Sequence, residues 1–345
     1  MPVAAVVSFR LSGTDGVSIE SAKWCAALAG LGFDVVTVAG EGSVDHLVAG
    51  LAITPEVEPD REMIERALDG ADLVIVENLC SLPLNPTAWA VVAGACSGRP
   101  TILHHHDLSW QRPNLGTEPP PDDPGWRHVT INELSRRELA ERGITATTIH
   151  NCFDTAAKPG DREGTRTSVR VEPGERLFLQ PTRALPRKNI GGGLAISERL
   201  GATYWLLGPA EDGYGPELDR LVEGATRRVL RGSAGSGAPI PAKDAYAACD
   251  AVLLPSTWEG FGNPTVESAV HRRPLCIGAY PVARELAAFG FQWFGLEDPD
   301  QLERWLEAPD ASLLEHNWSV ADAHFSLRDL PGRLAEVLST LPIGF

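Results

Sequence analysis

The chain has 345 residues, 43% hydrophobic and 22% charged, with a formal net charge of −16. That length suits two domains, each large enough for its own core. The acidic balance excludes a broad basic surface, so no nucleic-acid partner and no charge-driven docking on anionic lipid is expected. Six cysteines (Cys25, Cys80, Cys96, Cys152, Cys249, Cys276) form no CxxC pair and read as reduced intracellular thiols. No apolar run reaches the ~18 residues of a transmembrane segment. The first ten residues lack a charged leader. A cytoplasmic protein is expected.

In chain order, a short apolar run at 3–8 predicts a buried strand, and a helical pattern follows over 17–31, ended by Gly32. Further strands are predicted at 34–39, 72–77, 100–105, 127–131 and 146–149, with helices between them. The stretch 109–126, rich in Pro, Asp and Gly, predicts a long loop. Residues 155–170 are polar and carry Pro and Gly, which predicts an interdomain connection. A second series has strands at 177–180, 203–207, 227–230, 251–254 and 274–277. The stretch 299–340 reads as mostly helical. Strand–helix alternation of this kind implies two Rossmann-like α/β domains with mostly parallel sheets.

Open parallel sheets bind ligands beyond the carboxyl ends of their strands. Four unusual segments fall there: 10–17, 104–112, 183–189 and 256–263. Two domains with facing loop ends would gather all four around an interdomain cleft. The strongest runs Trp258-Glu-Gly-Phe-Gly-Asn-Pro-Thr-Val-Glu267. Asn263 is a suitable N-cap and Pro264 a suitable first helical residue. Gly260 and Gly262 let backbone approach a ligand. Glu259 and Glu267 are acceptors for sugar or ribose hydroxyls, although Glu267 taken alone reads better as a solvated glutamate. Arg183, Arg187 and Lys188 form a local cationic site suited to a diphosphate.

His104-His105-His106-Asp107 invites a metal reading. Adjacent strand residues point to opposite faces, so three consecutive histidines do not converge, and no paired Cys or HExxH motif supports a centre. His104 and His105 read as packing residues. His106 and Asp107, nearest the strand end, read as catalytic or substrate contacts. Gly13 and Gly16 mark a turn before the first helix, without a dinucleotide GxGxxG pattern.

Together these segments resemble the retaining GT-B glycosyltransferases of the glycosyltransferase family 4, or group 1, type. The likeness rests on Gly16 with its helix and on Gly32-Phe-Asp-Val-Val36. It continues through His106-Asp107, Ile149-His-Asn-Cys-Phe-Asp154, Arg183 with Lys188-Asn189, Gly208-Pro209 and Arg231-Gly232. It ends on Asp250-Ala-Val-Leu-Leu-Pro-Ser256 leading into Glu259 and Glu267, with seven residues between the two glutamates. One departure is Asn151-Cys152-Phe153-Asp154, where the family has Asn-Gly-Val-Asp.

The resemblance implies a GT-B architecture with an acceptor-side domain at 1–160, a nucleotide-sugar donor domain at 161–315, and a helical segment at 316–345 that returns to the first domain. It implies that Arg183 and Lys188 bind the donor diphosphate. Glu259, Gly260, Phe261, Gly262 and Asn263 would hold the donor sugar, and Glu267 the ribose. Gly16 would lie near phosphate or acceptor, and His106 near the reacting sugar. Asp107, Trp110 and Arg112 are candidates for the acceptor side. His106, Glu259, Arg183 and Lys188 form the expected catalytic set. The expected activity is hexosyl transfer with retention from a nucleoside-diphosphate sugar to an unidentified acceptor, without metal or cofactor. A non-catalytic nucleotide-sugar-binding protein, or a sugar-nucleotide epimerase on the same fold, is the alternative.

Overall fold

A computed structural model describes residues 1–234 and 238–342. The chain divides into two compact units, Met1–Cys152 with Leu327–Phe345, and Phe153–Ser326. The first unit contains β1 (Val3–Arg10), α1 (Gly16–Gly30), β2 (Asp34–Glu41), β3 (His46–Leu47), α2 (Arg61–Ala67), β4 (Leu73–Glu77), α3 (Pro86–Cys96), β5 (Thr101–His105), β6 (Trp126–Thr130), α4 (Glu133–Ala140) and β7 (Ala146–Thr148). The second contains α5 (Arg162–Ser168), β8 (Leu177–Gln180), α6 (Ile190–Arg199), β9 (Thr203–Leu206), α7 (Gly215–Gly224), β10 (Val229–Arg231), α8 (Ala242–Ala248) and β11 (Ala251–Leu254). It continues through α9 (Asn263–Val270), β12 (Leu275–Ile277), α10 (Pro281–Ala287), β13 (Phe294–Gly295), α11 (Pro299–Glu307) and α12 (Ala311–Phe325). The chain then re-enters the first unit with α13 (Leu330–Leu338).

Both sheets are parallel. The first runs β3-β2-β1-β4-β5-β6-β7 and the second β10-β9-β8-β11-β12-β13. In each, the order reverses between the first strand and its fourth-strand neighbour, β1/β4 and β8/β11. A crevice opens at such a switch point because the flanking connections leave to opposite sides. Register along β1 explains the two-faced core: Ala4 and Val6 join one apolar cluster, Ala5 and Val7 another, as alternation on a pleated strand requires. Terminal helix α13 completes the first cluster, with Leu330, Leu334, Val337 and Leu338 beside Trp24 and Leu28.

The boundaries differ from those read in the sequence. The units divide at 152/153 and 326/327, where 160/161 and 315/316 were expected. The polar stretch 155–170 is not a bare connection. Asp161 caps α5 through Gly164 N, and α5 turns its arginines onto the carboxyl end of α8. Arg162 reaches the carbonyls of Ala247, Ala248 and Cys249, and Arg166 that of Ala248. Its polarity serves a buried helix end. All six cysteines are free, five of them buried. Among the described residues no helix is long and apolar enough to cross a membrane.

Candidate active site

In the second unit, the loops after β8 and β11 meet at the switch point. Glu259 is almost fully buried and held from three sides. Lys188 Nζ lies 2.6 and 2.7 Å from its two carboxylate oxygens, Arg187 Nη1 lies 3.0 Å away, and Ser256 Oγ donates at 2.5 Å. Burial by itself would raise the Glu259 carboxyl. The Lys188 and Arg187 charges, with these hydrogen bonds, hold it below its ordinary value. Burial draws the Lys188 ammonium below the ordinary lysine value, against the pull of Glu259. Arg183 is not part of this cage. Its guanidinium pairs with Glu211 at 2.5 Å and remains partly exposed. Arg187, counted in the sequence only as one of three cations, and Ser256 are members of the cage that the residue assignments omitted.

Gly262 has φ +87° and is the N-cap of α9, so Asn263 is the first helical residue rather than the cap. The chain enters this helix through a left-handed conformation, which glycine adopts without penalty. A side chain at Gly262 would collide with the Tyr280 hydroxyl. The hydroxyls of Tyr280 and Thr265 influence one another without meeting hydrogen-bond geometry. Together with Trp258 Nε1 they are buried polar groups that lack a hydrogen-bond partner. Such groups are costly unless a ligand satisfies them, and here three flank one loop. Phe261 is buried and packs on Phe153 and Phe325, which anchors the loop's backbone. Gly260 lies between it and Glu259. Glu267, partway along α9, accepts from Tyr246 Oη at 2.6 Å.

In the first unit, β1 and β4 flank the switch point. Alternation along β5 separates the histidines as expected. His105 turns to one face, meeting Ser81 Oγ at 2.6 Å and His128 Nδ1 at 2.9 Å. His104 Nδ1 and His106 Nε2 converge on one oxygen of Glu77, each at 2.8 Å. Glu77 and His104 are fully buried and His106 nearly so. Burial alone would raise the Glu77 carboxyl; the two imidazoles, His104 foremost, bring it down to about 2. Burial holds His104 below the ordinary histidine value. It acts on His106 as well, but there the hydrogen bond and charge of Glu77, backed by Glu20 and Asp107, prevail and raise it. Of the two rings, His106 is the one whose charged form its surroundings favour.

Asn78, at φ +60°, accepts from the backbone N–H of both His106 and Asp107. Glu77 thus holds the ring of His106 and Asn78 its backbone. With Nε2 engaged, Nδ1 is the ring atom left for other contacts. Nothing in the sequence marked this pair beyond its place at the end of β4.

Glu77, His104 and His106 also bring three potential metal-ligand atoms within 4.8 Å of one another. The two 2.8 Å separations are hydrogen-bond lengths. Ligands about 2.1 Å from a tetrahedral cation stand roughly 3.4 Å apart.

The remaining candidates are distributed as follows. Gly16 opens α1, but the Asp15 carboxylate already accepts from Val17 N and Ser18 N and pairs with Arg10 at 3.1 Å. Asp107 binds Arg112 at 2.6 Å. Trp110 is packed on α4, its indole N–H donating to Glu138 and the Arg142 guanidinium lying 3.7 Å over its ring. The long loop is therefore pinned to its own unit.

No protein-family model matches the chain. It is 25% identical to the mannosylglucosylglycerate synthase of Thermotoga maritima, over 97% of this chain and 98% of that protein. It is 24% identical to the enzyme of the same name from Petrotoga mobilis, over 87% of each. The crystal structure of Anabaena HepE in complex with UDP-glucose superposes with a TM-score of 0.77 at 19% identity, covering 98% of this chain and all of that one. Two doubly wound parallel sheets, polar loops at both switch points and whole-length likeness to these proteins lead to one conclusion: the chain is a glycosyltransferase of the GT-B fold.

Proposed function

We propose that the chain is a retaining, metal-independent hexosyltransferase of the glycosyltransferase 4 type, acting in the cytoplasm on a nucleoside-diphosphate sugar. The observation that carries this reading is the Lys188–Glu259–Arg187 cage beside three unsatisfied polar groups at the start of α9. Lys188, Arg187 and Arg183 supply fixed positive charge for the donor diphosphate, the task a divalent cation performs elsewhere. Glu259 and the backbone of Gly260, Phe261, Gly262 and Asn263 hold the sugar hydroxyls. Glu267, oriented by Tyr246, takes the ribose. His106, oriented by Glu77 and Asn78, serves the reacting sugar through Nδ1. Gly16 serves the phosphate or the acceptor, and Asp107 and Arg112 the acceptor, while Trp110 braces the loop that carries them.

In the transfer, the bond between the anomeric carbon and the donor phosphate oxygen breaks, and its electron pair leaves with the diphosphate. The acceptor hydroxyl oxygen bonds to the same face of that carbon, and its proton passes to the departing phosphate oxygen. Developing negative charge on the diphosphate is what the cationic loop stabilises.

The product named for the two relatives sets the first assay: mannosyl transfer from a nucleoside-diphosphate mannose to glucosylglycerate, alongside UDP-glucose as donor. Turnover unaffected by a chelator, with the anomeric configuration of the donor kept in the product by NMR, is the expected result. Loss of turnover on chelation, restored by one metal, overturns metal independence. An inverted product overturns retention.

A further inference from the structure

The loops of the donor site all follow the carboxyl ends of β8, β11 and β12. The amino ends of the same three strands border a second feature, a cavity of about 460 Å³ formed wholly within the second unit. That volume falls in the usual range of small-molecule sites. Five arginines line it, an unusual concentration in a chain of net charge −16.

Their partners account for most of these cations, but not all. Arg162 and Arg166 share Asp250, at 2.5 and 3.4 Å. Arg272 pairs with Glu315 at 2.5 Å and Arg176 stands 3.7 Å from Glu303. The Glu175 side chain is turned to Thr203 and Arg228. Arg273 makes no close ion pair among the described residues, although the Asp250 charge reaches it. It donates through Nε and Nη2 to the carbonyls of Tyr246 and Ala247, both at 2.8 Å, which leaves Nη1 without a partner. Burial, with the Arg162 charge nearby, holds its guanidinium below the ordinary arginine value. On the same wall the indole N–H of Trp305 is buried and has no acceptor.

Capping the carboxyl end of α8 explains the bonds that Arg162, Arg166 and Arg273 make to its carbonyls. It does not explain an opening of this size, because a cap alone would be closed over by side chains at ordinary packing density. The groups left over, a desolvated guanidinium and an indole N–H, are donors that call for acceptor oxygens. Leu306 and Leu314 give the cavity an apolar wall beside them. We propose that this cavity binds a small organic anion, a phosphate or carboxylate carried on an apolar body, at a site separate from the donor loops and on the opposite edge of the same sheet.

Isothermal titration with phenyl phosphate and with benzoate tests the proposal on the full chain, with inorganic phosphate as the probe lacking an apolar body. One of the two aromatic anions is expected to bind with unit stoichiometry, more tightly than inorganic phosphate; which one binds says whether phosphate or carboxylate is preferred. Arg183→Ala, in the donor loop, should leave that binding unchanged. Arg273→Gln should weaken it about tenfold or more, the usual weight of a charge-assisted hydrogen bond. Trp305→Phe keeps the packing and should weaken it severalfold; it decides the matter if Arg273→Gln does not fold. The proposal is overturned if neither aromatic anion binds saturably. It is equally overturned if Arg183→Ala removes the binding, or if Trp305→Phe and a folded Arg273→Gln both leave it intact.

Discussion

Replacing Lys188 by Met tests the cage around Glu259. Exposed ion pairs contribute under about 1 kcal/mol, but the Lys188 and Glu259 side chains are only 10% and 7% exposed. Removing one partner of a buried pair leaves an uncompensated charge and costs about 3–5 kcal/mol. Arg187 and Ser256 would still hold Glu259, so the lower end, about 3 kcal/mol, is expected. In a unit of about 170 residues each kcal/mol shifts the melting temperature by ~2–4 °C, which gives a fall of roughly 6–12 °C. Differential scanning calorimetry of the full chain reads it directly, and only the second unit's transition should move. The double variant Lys188→Met/Glu259→Gln should recover most of the loss, since it removes the buried carboxylate and leaves only the part-exposed Arg187, still bonded to the Trp258 carbonyl, without its ion-pair partner. A single-variant shift under about 2 °C, or a double variant as unstable as the two singles combined, refutes the electrostatic account.

Glu77→Gln should lower the titration midpoint of His106, measured by NMR of the imidazole, because the carboxylate that holds its proton is gone. Transferase turnover should fall about tenfold or more with little change in KM; an unmoved midpoint would remove Glu77 from its orienting role. Gly262→Ala forces a left-handed residue against Tyr280 and should cost about 1–3 kcal/mol and weaken donor binding, read by denaturant titration and by calorimetry with nucleotide. The His271 imidazole is drawn down to about 4 by burial, with Arg273 assisting. Its stabilising contribution is therefore complete above the unfolded value near 6.5 and is lost as pH falls towards 4. His271→Phe should flatten the stability profile over that window, and an unchanged slope between pH 6.5 and 4 would contradict the shift.

The parallel sheets were legible because buried β-strands such as Val3–Arg10 and Ala251–Leu254 are nearly continuous apolar runs between helical segments. The two-residue strands β3 and β13 carry too few side chains for any periodicity to register. Helix α5 was hidden because its surroundings are polar: Asp161 caps its start, and its arginines cap the end of another helix. The loop proposed to hold the donor stood out through its glycines, of which Gly262 is required by its left-handed backbone. Its cap was placed one residue late because Asn263 has the right chemistry while Gly262 has the right torsion angle. Glu77 and Asn78 escaped notice because a strand-terminal Glu-Asn has no pattern of its own. Their meaning comes from strand order, which sets β4 beside β5 across 23 residues of intervening chain.

The division at 152/153 and 326/327 makes the second unit an insertion within the first. Phe153 N donates to Phe325 O at 2.7 Å, and Phe153 bridges Ser326, so the two ends of the inserted unit are stitched to each other. During synthesis the first unit must wait for α13, whose Leu330 and Leu334 complete its core, while everything the second unit needs has already emerged. The later-encoded unit is thus free to finish folding first. For the same reason it is the piece that could be excised at its stitched ends, closed with a short linker and studied alone.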